Sequence, residues 1–142
     1  MAEYETLVAE LGLSSNVQFM LGYITENKIP EIFKAAAVVV LPYRSIDQSG
    51  VAVTACTFGK SLVVTDVGGI KELVEMAKNG IIVPVDDDIA LAEAIIKILT
   101  NRPLREQFEK NSRRYSESAL DWETIATKTL RIYQIVVKNN SK

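Results

Sequence analysis

Residues 38–72, VVVLPYRSIDQSGVAVTACTFGKSLVVTDVGGIKE, decide the fold. Residues 38–41 are a β-branched run that ends at Pro42, which has no N–H to give to a central ladder. Residues 43–49 are polar and read as a loop. Residues 50–58 are small or apolar and long enough for a buried helix, with Gly59 to close it. Residues 62–65 make the next strand, Asp66-Val67-Gly68-Gly69 a turn, and Ile70 opens another helical pattern. A strand, a glycine-bearing loop and a helix start are how α/β proteins hold phosphates. Free N–H groups and the positive end of the helix dipole converge there.

Upstream, residues 4–11 carry apolar side chains at helical spacing until Gly12, and residues 17–21 (VQFML) read as a short strand ending at Gly22. Thr25 is placed to cap a helix over residues 28–36. Ile29, Ile32 and Phe33 share one of its faces, and Pro30 falls in its first turn, where a missing N–H costs little. Downstream, residues 70–77 continue the helix, and Asn79-Gly80 turns into a strand over 81–85. Asp86, Asp87 and Asp88 precede a helix over 89–99. One aspartate as a cap, with the others at the positive helix end, accounts for them better than a metal does. A polar amphipathic helix follows over 102–118, and Asp121 caps a last helix over 123–138.

Strands alternating with helices predict an α/β fold, a Rossmann-like parallel sheet with helices on both faces and the C-terminal helices packed on the domain. The domain covers residues 1–138, and residues 139–142 are expected to be a disordered tail. Ligands belong beyond the carboxyl ends of the strands, near Gly22, residues 43–50 and Gly68-Gly69.

Composition narrows the chemistry. The 142 residues are 48% hydrophobic and 24% charged, as in an ordinary globular domain. A net charge of −2 argues against nucleic acid or a polybasic membrane surface as partner. Without histidine there is no His triad, His metal site or neutral-pH His switch. The one cysteine, Cys56, sits among Ala and Val as a small core residue and excludes an internal disulfide. No run is long and apolar enough for a membrane span, and the first residues lack a signal-peptide pattern, so the expectation is a cytoplasmic protein.

Several segments together, VQFMLGYITENKIPEIFKAA, VVVLPYRS, FGKSLVVTDVGGIKELVE, NGIIVPVDD and ALAEAIIKIL, then a late Trp122, form a familiar order. The chain resembles the C-terminal, donor-binding half of retaining GT-B glycosyltransferases of family 4 (group 1), over nearly its whole length. The resemblance implies a nucleotide diphosphate sugar as donor, no metal and no other cofactor. It places the diphosphate on the helix start at Ser49, Gly50 and Val51. Arg44 either adds positive charge there or is a solvated surface residue. The nucleobase and ribose would lie by Gly22, Tyr23, Ile24 and Thr54, and the donor sugar by Gln48, Gly68, Gly69 and Glu72. Gly68-Gly69 equally reads as a tight turn, and Glu72 as a local cap or pair.

The departures from the family pattern matter. Family members carry two glutamates separated by seven residues, one for the sugar and one for the ribose. Counting back from Gly59 puts them at Ile46 and Thr54, and counting from Gly50 puts them at Asp47 and Ala55. Asp47 would then stand in as the catalytic-site carboxylate and Thr54 as a ribose contact. The family sheet also has two strands, and an acceptor-binding domain, ahead of residues 17–21. That strand is therefore expected to close up beside residues 38–41 or to pair with another copy through the exposed sheet edge. The resemblance implies the donor-binding part of a retaining enzyme of surface polysaccharide synthesis. The acceptor domain would be supplied in cis or in trans, and the full-length enzyme would be peripheral at the inner face of the membrane. The alternative is a nucleotide-sugar-binding or assembly module without turnover. Without a G-x-G-x-x-G after its first strand, the chain does not read as a dinucleotide-binding protein.

Overall fold

The computed structural model describes residues 2–140. Its centre is a three-stranded parallel sheet in the order β1-β2-β3, with β1 Val39–Leu41, β2 Leu62–Thr65 and β3 Gly80–Val83. Every residue of β2 is buried, as an apolar run in the middle of a parallel sheet requires. Its side chains alternate between two cores. Leu62 and Val64 join Leu41, Ala52, Cys56, Ile70 and Val74 on one face. Val63 joins Val83, Ala94 and Ile98 on the other. The first core lies under α3 (Gly50–Thr57) and α4 (Gly68–Ala77), and the second under α5 (Asp88–Thr100). This is the expected Rossmann-like α/β arrangement with helices on both faces.

Local chemistry sets the element ends. Pro84 stops β3 one residue after Val83, short of the expected strand end at Val85, because it has no N–H for the ladder. Gly59, at φ 62°, closes α3. The amides of Gly59 and Lys60 return to the carbonyls of Cys56 and Ala55 at 2.9 Å each, a Schellman pair. Asp87 caps α5 by accepting from the Ala90 amide at 2.8 Å, while Asp86 pairs with Arg44 instead of serving the helix. Asp121 caps α7 (Trp122–Asn140) through the Thr124 amide at 2.8 Å. Cys56 is fully buried as expected, and burial pushes its thiol pKa up.

The N-terminal region departs from expectation. Helix α1 (Ala2–Glu10) forms, but residues 17–21 are no strand. They pair neither with β1 nor elsewhere in the described sheet, and the strand closing up beside residues 38–41 is not found. The turn after Gly12 draws the Val17 amide to the Leu13 carbonyl at 3.1 Å. A strand without a neighbouring ladder gains no hydrogen bonds for its ordering. Val17, Met20 and Leu21 are exposed as a result. Thr25 precedes a short 3₁₀ turn, Glu26–Lys28, but its hydroxyl bonds Asn27 Oδ1 and caps no amide. Helix α2 (Ile29–Ala35) follows, with Pro30 in its first turn, and the Phe33 ring stacks on Phe58 at 5.2 Å.

At the other end, α6 (Arg102–Ala119) packs Phe108 on one core and Tyr115 on the other. Helix α7 meets α6 but leaves Trp122, Leu130, Ile132 and Tyr133 exposed. It continues to Asn140, into the expected tail, and Ser141 and Lys142 lie outside the described residues. Among the described residues no helix is long and apolar enough to cross a membrane.

Candidate functional site

The site is built on the start of α3. Ser49 is its cap, buried and extended at φ −122°, ψ 109°. Its Oγ accepts from the Ala52 amide at 3.2 Å, and its carbonyl accepts from the Val53 amide at 3.3 Å. The remaining two amides of the first turn, Gly50 and Val51, have no partner among the described residues. A Cβ placed on Gly50 would meet nothing within 4 Å. The fold itself therefore does not need glycine at this position. Two donors and the positive dipole end face open space.

Two cavities meet there. An apolar one of about 530 Å³ is lined by Ile24, Ile29, Ile32, Phe33, Val51 and Thr54, with Gly50 at its edge. The other, of about 320 Å³, is more polar and includes Gln48, Ser49, Gly50, Gly69, Glu72 and Tyr115. Gly50 belongs to both. Burial pushes the Tyr115 phenol pKa up.

Sequence spacing left two phases open along this helix, Thr54 or Ala55, and the two side chains lie in different surroundings. Ala55 is fully buried in the core, whereas Thr54 faces the apolar cavity. Ile46 packs on the core, and the Asp47 side chain is exposed. The Asp47 carbonyl accepts from the Gly69 amide at 2.8 Å. A Cβ on Gly68 would lie 1.8 Å from the Ile46 carbonyl oxygen, and one on Gly69 would lie 2.8 Å from that of Asp47. The glycine pair thus admits the 46–47 backbone of this chain, with Gly68 at φ 45°. Glu72 is exposed at the polar cavity and has no ion-pair partner among the described residues.

Arg44 is placed elsewhere. Its Nε lies 2.8 Å from Asp86 Oδ1, across a third cavity at the carboxyl ends of the strands, and this carboxylate raises the guanidinium pKa. Arg44 lines neither cavity at Gly50. Ile24 does reach the apolar cavity, while Gly22 and Tyr23 are exposed outside its lining. Sequence reasoning missed Tyr115, which comes from α6 and carries no local signal. It took Ile29, Ile32 and Phe33 for one helix face, and the structure turns all three to the cavity.

Residues 2–115 match the family described as glycosyl transferases group 1. An uncharacterized glycosyltransferase of Methanocaldococcus jannaschii is 30% identical over 134 residues, 94% of this chain and 34% of that protein. The structure resembles sucrose-phosphate synthase from Thermosynechococcus elongatus with a TM-score of 0.83 and 30% identity, covering 97% of this chain and 34% of that one. It also resembles WaaG, a glycosyltransferase involved in lipopolysaccharide biosynthesis, with a TM-score of 0.72 and 30% identity over 82% of this chain and 31% of that one. The chain thus spans about a third of the length of each of these proteins. It belongs to the group 1 glycosyltransferases, corresponds to their C-terminal domain, and has the fold of their GT-B members.

Proposed function

We propose that this chain is the donor-binding part of a retaining glycosyltransferase of the family 4 type and takes a nucleoside diphosphate sugar. The open glycine carries the reading. Gly50 has no steric reason to be glycine, and it stands where two unpartnered amides and two cavities meet. The diphosphate would rest on the amides of Gly50 and Val51. The nucleoside would enter the apolar cavity beside Ile24 and Thr54, and the donor sugar the polar one beside Gln48, Gly69 and Glu72. Asp47 is the one carboxylate of the 43–49 loop and would stand near the sugar.

In the transfer step the bond from the anomeric carbon to the diphosphate breaks, and negative charge grows on the leaving group. Amides already aimed at that charge stabilise it without reorganising. An acceptor domain, in cis or in trans, would bring the second substrate. The involvement of the similar WaaG in lipopolysaccharide biosynthesis supports surface polysaccharide synthesis, with the site of action in the cytoplasm and at the inner membrane face. A binding module without turnover is the second reading, favoured by the lack of any carboxylate lining the apolar cavity. Supplying an acceptor domain in trans separates the two, since transfer then appears only for a split enzyme.

Calorimetric titration with UDP, GDP and ADP tests the donor site. At least one should bind, and Gly50→Asp should abolish that binding while the fold persists, because an acid at a helix start suits the dipole. Unchanged affinity in a folded Gly50→Asp variant would overturn the assignment.

A further inference from the structure

The apolar cavity at α3 has a lining that bears on which nucleosides it accepts. Six of its seven residues, Ile24, Ile29, Ile32, Phe33, Gly50 and Val51, offer no polar side-chain atom. The seventh is Thr54, whose hydroxyl already donates to the Gly50 carbonyl at 2.8 Å. Its proton is engaged, so Thr54 Oγ1 is left only as an acceptor, and a neutral one. The carbon next along the helix is no help, because Ala55 is sealed in the core. A ribose presents two neighbouring hydroxyls. One neutral acceptor satisfies one of them, and the other would sit against hydrocarbon or turn to solvent. A buried hydroxyl without a partner is penalised, and its removal is not.

We infer that this cavity does not read the ribose 2′-hydroxyl, so that the chain takes 2′-deoxyribonucleoside diphosphates, thymidine diphosphate donors among them, as readily as ribonucleotides. The inference rests on the donor-site reading above. Grip on the nucleoside then comes from apolar contact with the base and sugar faces, and grip on the anion from the Gly50 and Val51 amides.

The test titrates the chain with matched pairs, ADP against 2′-deoxy-ADP, GDP against 2′-deoxy-GDP and UDP against 2′-deoxy-UDP, by calorimetry. For every pair that binds, the two affinities should differ by less than about fivefold, the effect of one net hydrogen bond. A deoxy form weaker by about fivefold or more overturns the inference and leaves the donor site standing. No binding by any of the six overturns both. Thr54→Glu supplies a charged acceptor that can take both hydroxyls, and it should raise the preference for the ribo form to roughly tenfold or more. If Thr54→Glu is folded and shows no such preference, Thr54 does not face the nucleoside sugar and the inference fails.

Discussion

The starts of α3 and α4 look alike in sequence and differ in the structure. Each follows a strand of the parallel sheet, and each opens with glycine. At α4 the glycines are filled positions. Backbone of the 46–47 loop occupies the space of both missing Cβ atoms, and the Asp47 carbonyl takes the Gly69 amide. At α3 the glycine is an empty position, with free space beyond it and two amides waiting. Paired glycines advertise a ligand loop more loudly than a single one, yet here the pair is filled by the 46–47 backbone, with Gly69 at the rim of the polar cavity, and the single residue stands open to both cavities. A glycine points to a ligand only after contacts within the chain have been ruled out as its reason.

Breaking the packed start should show the largest effect. Gly68→Val forces a β-branched residue into positive φ and drives its Cβ onto the Ile46 carbonyl. Urea denaturation should show a loss of about 3 kcal/mol or more. Gly50→Ala, in contrast, should leave stability within about 1 kcal/mol of the parent, since the site is open and alanine favours helix. Gly50→Asp comes next. It should abolish nucleotide binding through like charge and bulk at the diphosphate, read by calorimetry, with the unfolding midpoint nearly unchanged. Ser49→Ala removes the side-chain cap and should cost about 1 kcal/mol in the same denaturation experiment.

The smallest effect belongs to a third helix start. Asp121 caps α7, and the Thr124 amide holds its carboxyl below the usual range. A lowered folded pKa means that the cap is in place above the unfolded value and is lost as pH falls through the folded one. Far-UV circular dichroism should therefore lose some helix on acidification below the ordinary carboxylate range. Asp121→Asn, which caps in either condition, should lack that step.

The centre of the fold was legible because its signals are local. Residues 62–64 are an apolar, β-branched-rich run bounded by turn residues, which is the pattern of a short strand buried on both faces. Gly59 and the aspartate run 86–88 announced their helix ends by residue type and position, and the structure selects Asp87 as the cap. Residues 17–21 misled because a short apolar segment before a glycine reports that it suits a strand, not that a ladder exists for it to join. Arg44 stands near the phosphate loop in sequence, but its ion-pair partner Asp86 is 42 residues away. The phase at Thr54 and Ala55 was undecidable by counting, since adjacent helix residues point about 100° apart and only packing says which faces inward. Helix α7 shows the same limit. Its apolar spacing promised a packed helix, and most of those side chains are exposed.

The most direct test is an amide NMR titration of this chain with UDP, GDP and ADP. Shifts are expected for at least one nucleotide at Gly50 and Val51, extending to Ile24 and Thr54, with the Gly69 amide held by Asp47 and little changed. Shifts centred on Gly68 and Gly69 with Gly50 silent, or no shifts with any nucleotide, would contradict it.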